Sequence, residues 1–262
     1  MPLIAMTREM GSLGKDVAAI VAERMGKPVV YHEIIDQLAS KMRLRKSHVI
    51  RFLDGKANIW ERLTTDKTSM AIYTADELLA LAESENVAVI RGWGAAHLLR
   101  PIGHVICVRV CAPVPVRIQR MMQRLSTDDE AFVTNEIRLS EEAVTAITRR
   151  HFGVSWQHSD RYDLVLNTER VCVEECADEL MALVADPEFQ ETTHSRQTLR
   201  NLALESRVRA ALLADPRTAK MPISVRADHG TITLTGAVGQ DRPPALASNV
   251  AAGVAGVEEV RI

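Results

Sequence analysis

The chain has 262 residues, of which 47% are hydrophobic, and its formal net charge is -2 at neutral pH. This apolar content supports a packed core and excludes a disordered chain. The near balance of charge gives no electrostatic case for nucleic acid as a partner. No apolar run reaches the about 20 residues that span a membrane, and no basic region precedes the apolar start of the chain, as it would in a secretory signal. We therefore expect a cytoplasmic protein with no integral membrane segment.

The first thirty residues predict a strand, a glycine loop, a helix and a second strand. "LIAM" is a short apolar run, and the glycine loop "TREMGSLG" follows it. In "KDVAAIVAERMG" the residues Val17, Ile20, Val21 and Met25 recur at helical spacing. Gly26 ends that helix, and "PVVY" is the next strand. This order is a βαβ unit, so we expect a parallel strand pair.

Strands and helices continue to alternate up to about residue 185. The predicted strands are "NVAVIRGWG", "HVICVRVCAP" and "YDLVLNT". The helices between and after them include "TADELLALAES", "VPVRIQRMMQRL" and "CVEECADELMALVAD". In the first of these, Thr74 is the predicted N-cap, and Glu77 completes a capping box. This alternation predicts an α/β fold: a three-layer domain with a mostly parallel sheet. The cysteines Cys107, Cys111, Cys172 and Cys176 lack zinc-site spacing and are interpreted as buried thiols, so no metal site is predicted.

The C-terminal part has a different pattern. "LRNLALESRVRAALLADP" is helical, "PISVRADHGTITLTGAV" is two alternating strands around a tight turn, and a helix and a strand follow. The order αββαβ within about sixty residues predicts a small α+β domain of a size that folds alone. We place a first domain at 1–186, a linker at 187–198 that is polar enough for a flexible hinge, and the small domain at 199–262.

The loop "TREMGSLGKDVA" has the composition of a phosphate-binding loop. Backbone N–H groups at a helix N-terminus attract anions, and glycines let the backbone come close to them. The candidate anion-binding residues are Gly11, Ser12, Leu13, Gly14, Lys15 and Asp16. Two registers against the pattern Gly-x-x-x-x-Gly-Lys-Ser/Thr remain open: one places Lys15 at the lysine, and the other places Gly14 there and Lys15 at the Ser/Thr. The alternative is a tight turn with Lys15 in solvent.

Several motifs in order make residues 3–185 similar to the cytidylate-kinase-like family of P-loop proteins. They are the loop itself, "VIRGWGAAHLL", "VCAPVPVRIQRMMQR", "RRHFGVSW" and "RYDLVLNT". The tail from Ser206 resembles a BON domain, through "VRAALLADP", "ISVRADHGTITLTGAV" and "VAGVEEV". BON domains are associated with binding phospholipid or other small ligands, so this resemblance implies such a partner.

The first resemblance implies a nucleoside monophosphate kinase that transfers a phosphoryl group from ATP to CMP or a related nucleotide, with Mg²⁺ whose ligands are not identified. Cationic side chains neutralise phosphate charge in such a reaction, and arginine binds phosphate oxygens bidentately. The residues that the resemblance assigns to this role are Lys15, Arg117, Arg124, Arg149 and Arg150. Arg117, Arg120 and Arg124 also share a helix face by their spacing.

Three departures from the family pattern weigh against turnover. His32 follows Tyr31 where the family has Asp, Trp93 replaces the Arg of Gly-Arg-Gly, and the Glu141–Glu142 stretch stands where the lid is usually basic. Negative charge near a triphosphate lowers affinity. A second hypothesis is therefore a catalytically inactive nucleotide- or anion-binding regulatory module coupled to the BON-like domain. A third is an assembly protein with a vestigial loop.

Overall fold

The computed structural model describes residues 1–30, 40–42, 67–92, 94–236 and 244–262. The predictions for His32 and Trp93, and the side chain of Arg150, lie outside the described residues. Residues up to 185 form strands β1 to β5 and helices α1 to α6, in this order: β1 Leu3–Arg8, α1 Gly14–Met25, β2 Val29–Val30, α2 Lys67–Glu83, β3 Val89–Arg91, α3 Ala95–Leu98, β4 Val105–Cys111, α4 Val114–Leu125, α5 Glu130–Phe152, β5 Leu164–Asn167 and α6 Val173–Ala185.

The five strands form one parallel sheet in the order β2-β3-β1-β4-β5. The central strands β1, β3 and β4 are apolar along almost their whole length because both faces of the sheet are covered. One face packs against α1 and α6, with Ile4 and Met6 in that core. The other face packs against α2 and α3, with Leu3 and Ala5 in its core. The predicted three-layer α/β fold is confirmed.

Two local predictions were wrong. Thr74 does not cap a helix, since it lies inside α2 and its hydroxyl donates to the carbonyl of Met70 at 2.7 Å; a mid-helix threonine satisfies its hydroxyl in this way. Cys172 is not a buried thiol, because it is exposed at the N-cap of α6 and its Sγ accepts from the N–H of Glu175 at 3.4 Å. Cys107 is buried, and burial raises the pKa of its thiol to about 12.

The C-terminal residues form the predicted small α+β fold. Its strands β6 and β7 are an antiparallel hairpin, and β8 lies parallel to β7. His229 and Gly230 make the tight turn with positive φ angles of 45° and 82°. The elements are α7 Thr193–Ala214, β6 Ile223–Asp228, β7 Thr231–Gly236, α8 Pro244–Ala252 and β8 Glu259–Arg261. Within the described part of the chain, no helix has the length and apolar content needed to cross a membrane.

Helix α7 contributes to two hydrophobic cores. Its first half carries Leu199 and Ala203 into the core beneath the five-stranded sheet, where α7 packs along α2. Its second half carries Leu204 and Val208 into the core of the small domain. The helix starts at Thr193, so regular structure begins inside the segment where the sequence predicts a linker. The domain boundaries remain a prediction, but the two folds share one continuous helix.

Candidate phosphate-binding site

The loop between β1 and α1 has the length and conformation of a phosphate-binding loop. Five residues, 9 to 13, separate Arg8 at the end of β1 from Gly14 at the start of α1. Gly11 has a φ of 82° and Leu13 a φ of 59°, both in the left-handed region. The pattern Gly-x-x-x-x-Gly-Lys also has five residues between its first Gly and its Lys. The structure therefore favours the register in which Leu13 takes the second Gly position, Gly14 the Lys position and Lys15 the Ser/Thr position.

Helix α1 directs unpaired backbone donors at this loop. The N–H groups of Asp16 and Val17 both donate to the carbonyl of Leu13. Among the described residues, the N–H groups of Gly14 and Lys15 have no acceptor, as expected for the first residues of a helix. Free N–H groups and the positive end of a helix dipole bind phosphate at many helix N-termini, so this helix start is a candidate anion site.

The six predicted loop residues lie together but have different environments. Lys15 and Asp16 are exposed in the first turn of α1. Ser12 is fully buried, and its Oγ donates to the carbonyl of Glu9 at 2.8 Å, so this hydroxyl holds the loop in shape. A Cβ on Gly11 would lie 2.7 Å from the carbonyl oxygen of Arg117, so the absence of a side chain there lets the loop pack against α4. The assignment of these residues to phosphate remains a prediction.

Arg117 lies behind the loop, with only 3% of its surface exposed. Its Nε donates to the carbonyl of Ala112 at 2.8 Å and lies 3.3 Å from the carboxylate of Glu9. One terminal nitrogen lies 3.4 Å from the carbonyl of Met10, and the other lies 2.8 Å from Oε1 of Glu141. All its nitrogens therefore contact protein groups, and on α5 this arginine neutralises Glu141.

Glu9 extends this contact into a partly buried chain of alternating charges. Its Oε1 pairs with Arg109 at 2.5 Å, and its Oε2 accepts from the N–H of Ala112 at 3.2 Å. The guanidinium of Arg109 lies 5.2 Å from the ring of Trp156, within cation–π distance. The resulting sequence Arg109–Glu9–Arg117–Glu141 joins β4, the loop, α4 and α5. Sequence reasoning missed Glu9 and Arg109 because no local pattern relates a loop carboxylate to an arginine a hundred positions away.

The other predicted arginines are more open. Arg124 and Arg149 are exposed on α4 and α5, and neither forms an ion pair with any residue that the structure describes. Arg120, on the same helix as Arg117, instead donates to the hydroxyl and carbonyl of Thr168. The hydroxyl of Thr168 in turn donates to the carbonyl of Ser12 at 2.8 Å, so Arg120 stabilises the loop through Thr168. The structure thus brings Arg117 against the loop, but it leaves Arg124 and Arg149 in solvent.

Among the described residues near the loop, few side chains are suited to bind a magnesium ion. An amine stands at the Ser/Thr position because Lys15 is there, and the carboxylate of Glu9 is neutralised by two arginines. No group of three or more His, Cys, Asp or Glu side chains that fits a metal ion occurs in the described ranges. The exposed carboxylate of Asp16 remains. One carboxylate together with nucleotide phosphates is a common way to hold Mg²⁺, so the donor set fits a metal that arrives with its nucleotide.

Comparison with known proteins agrees with this fold. Residues 3–170 match the model of the cytidylate kinase-like family, and residues 201–262 match the BON domain. The chain is 29% identical over 155 residues to a cytidylate kinase from Methanothermobacter thermautotrophicus, which covers 59% of this chain and 87% of that protein. An uncharacterized protein from Eubacterium ventriosum has a similar fold, with a TM-score of 0.55 and 20% identity over 70% of this chain and 98% of that one.

The family model spans more than half of the chain, so the protein belongs to the cytidylate kinase-like family. It also carries a C-terminal BON domain. The family and the fold make it a nucleotide-kinase-like protein.

Proposed function

We propose that this chain is a nucleoside monophosphate kinase that transfers the γ-phosphoryl group of ATP to CMP or a related nucleotide. The observation that carries the proposal is the loop between β1 and α1, which keeps the length, the two left-handed residues and the free N–H groups of a phosphate-binding loop. Family membership and the similarity to a cytidylate kinase support CMP as the first acceptor to test.

In this proposal the residues divide into a cradle and a set of cations. The loop from Gly11 to Asp16 would hold the donor phosphates, and the carboxylate of Asp16, in the first turn of α1, would supply one ligand to Mg²⁺. The exposed Lys15, Arg124 and Arg149 supply positive charge from solvent-facing positions, whereas Arg117 shapes the loop from behind. Arg150 completes the predicted set. Phosphoryl transfer depends mainly on positioning and charge, so this arrangement asks little covalent chemistry of the protein.

The test is ATP consumption with Mg²⁺ and a panel of acceptors: CMP, dCMP, UMP, AMP and GMP. We expect turnover with CMP to exceed turnover with the purine nucleotides, and Lys15→Met together with Arg149→Met to lower it. The exposed Arg138→Met on α5, whose partner is Glu142, is the matched control. Absence of turnover with every acceptor would contradict the proposal.

A second function has its own supporting observation. Arg117 is fully occupied by Glu9, Glu141 and backbone carbonyls, and Gly14 stands where a phosphate lysine is usual. Both features favour a domain that binds a nucleotide or another anion without turnover and passes that state to the BON domain. Saturable ATP binding by calorimetry without turnover would support this reading over the kinase.

A further inference from the structure

The structure points to Arg8 as the cation that replaces the missing lysine of the phosphate-binding loop. This inference rests on the proposed nucleotide site and adds a residue to it. In the register that the structure favours, Gly14 stands at the lysine position and Arg8 stands at the first glycine position. Relative to the pattern Gly-x-x-x-x-Gly-Lys, a glycine and a cation have therefore exchanged places.

Strand alternation decides where the Arg8 side chain runs. Ile4 and Met6 face α1 and α6, so Arg8, two positions further along β1, lies on the same face. On that face, the Arg8 side chain lies against Gly14, the first residue of α1. Arg8 is half-buried, as expected for a side chain whose stem is covered by the helix start.

The space that a lysine stem would need at position 14 is already filled. A Cβ built on Gly14 would lie 2.8 Å from Cβ of Arg8 and 3.5 Å from its Cδ. It would also lie 3.1 Å from Cβ of Val110. A side chain at position 14 therefore conflicts with the arginine stem at position 8, so only one of the two positions can carry the long side chain. This steric exclusion explains why the two residues are exchanged together.

The exchange keeps one cation at the junction of strand and helix. The stem of Arg8 passes the N-terminus of α1, where the N–H groups of Gly14 and Lys15 have no acceptor among the described residues. A guanidinium carried on this stem is suited to bind phosphate oxygens bidentately. We assign Arg8 to the donor phosphates of the nucleotide, in the role that the lysine has in the usual pattern.

The experiment measures binding of ATP and of inorganic pyrophosphate by calorimetry with Mg²⁺. Arg8→Met keeps the stem against Gly14 but removes the charge. We expect it to raise the dissociation constants of both ligands by about 10- to 100-fold, the range of one charge-assisted contact. Arg8→Lys should stay within about 5-fold of the wild type. Arg138→Met, which removes an exposed cation paired with Glu142 away from the loop, is the control, with an expected change of less than about 3-fold.

A rescue variant separates phosphate binding from a structural role. Gly14→Lys alone should lose pyrophosphate binding, because its stem meets Arg8. The double variant Arg8→Gly with Gly14→Lys restores the usual arrangement and leaves only the closer approach to Val110, so it should recover binding to within about 10-fold of the wild type. Circular dichroism and thermal melts confirm that each variant folds.

The outcomes distinguish this inference from the proposed function. If the wild type binds ATP and pyrophosphate but Arg8→Met binds them equally well, the assignment of Arg8 is wrong and the nucleotide site stands. If Arg8→Met weakens binding and the double variant recovers it, the exchange is established. If the wild type binds neither ligand at millimolar concentration, the proposed function fails and the assignment fails with it.

Discussion

At the scale of single residues, Arg117 is the clearest example of a side chain whose role depends on burial. By sequence it is one of three arginines on a helix face, and nothing in the spacing distinguishes it from Arg124. In the structure Arg117 is 3% exposed between Glu9 and Glu141, whereas Arg124 is in solvent. Removing one partner of a buried ion pair leaves the other charge uncompensated.

We therefore expect Arg117→Met to lower the free energy of unfolding by about 3–5 kcal/mol. Arg124→Met, on the same helix, should change it by less than about 0.5 kcal/mol. Urea denaturation followed by circular dichroism measures both. A similar small loss for the two variants would mean that the buried charges around Arg117 are not what holds α4 against the loop.

Gly11 permits a second comparison at the residue scale. Gly11 and Gly26 both have positive φ, of 82° and 65°, so alanine strains the backbone at either place. Only at Gly11 would the new Cβ meet another atom, the carbonyl oxygen of Arg117 at 2.7 Å, whereas the space around Gly26 is open. Gly26→Ala should cost about 1 kcal/mol of stability. Gly11→Ala should cost at least about 2 kcal/mol more, since the clash adds to the strain.

The same denaturation series tests this comparison, and ATP binding adds a second readout. Gly11→Ala should weaken ATP binding because α4 and the loop must separate, while Gly26→Ala should leave it unchanged. Equal losses of stability for the two variants would show that the loop can shift away from α4 without cost.

At the scale of secondary-structure elements, periodicity in the sequence predicted most of the sheet and its helices. The apolar runs from Leu3, Val89 and Val105 became strands, and the spacing of Val17, Val21 and Met25 became α1. Periodicity could not show which side chains meet across the sheet. The pair of Glu9 and Arg109 is a tertiary contact between the end of β1 and the neighbouring parallel strand β4. The register of the loop depended on the left-handed φ of Leu13, which the residue type does not predict.

The contact between α7 and the start of β4 makes an element-scale prediction about pH. His104 is 5% exposed, and its Nδ1 lies 2.7 Å from Oγ of Ser195 in the first turn of α7. Burial is the main cause that lowers the pKa of His104 below its ordinary value of 6.5. Below that pH the unfolded chain takes up a proton that the folded protein resists, so stability falls as pH decreases from 6.5 towards the folded pKa.

His104→Gln should remove this part of the pH dependence. The free energy of unfolding of the wild type, measured between pH 8 and pH 5, should fall more steeply with acidification than that of the variant, by up to about 1.4 kcal/mol per pH unit for one proton. The exposed His158→Gln is the control. His97, whose pKa is also lowered mainly by burial, contributes in the same direction in all three proteins. Parallel profiles for wild type and His104→Gln would contradict this account.

At the scale of the whole molecule, the shared helix α7 determines how the two folds are joined. The sequence placed a polar hinge at 187–198, because "ETTHSRQT" contains few apolar residues. In the structure Ser195 is buried against His104, and Leu199 enters the core of the first domain. Polar composition could not reveal this packing, since the helix contributes only a narrow apolar stripe to each domain.

A chain ending at residue 190 tests whether α7 is part of the first domain. Truncation there exposes the face of α2 that Leu199 and Ala203 cover, and loss of one buried leucine alone costs about 2–5 kcal/mol. We expect the fragment to unfold at a lower urea concentration than the first domain of the intact protein, and Leu199→Ala in the full chain to reproduce part of the loss.

Val208→Ala, which lies in the small-domain core, is the comparison. It should destabilise the small domain, and any loss of stability in the first domain should arise only because the two domains share α7. If the fragment is as stable as the intact protein, α7 is a tether and the two folds are energetically independent. If it is less stable, a ligand that orders the BON domain also stabilises the nucleotide-kinase-like domain, because both depend on the same helix.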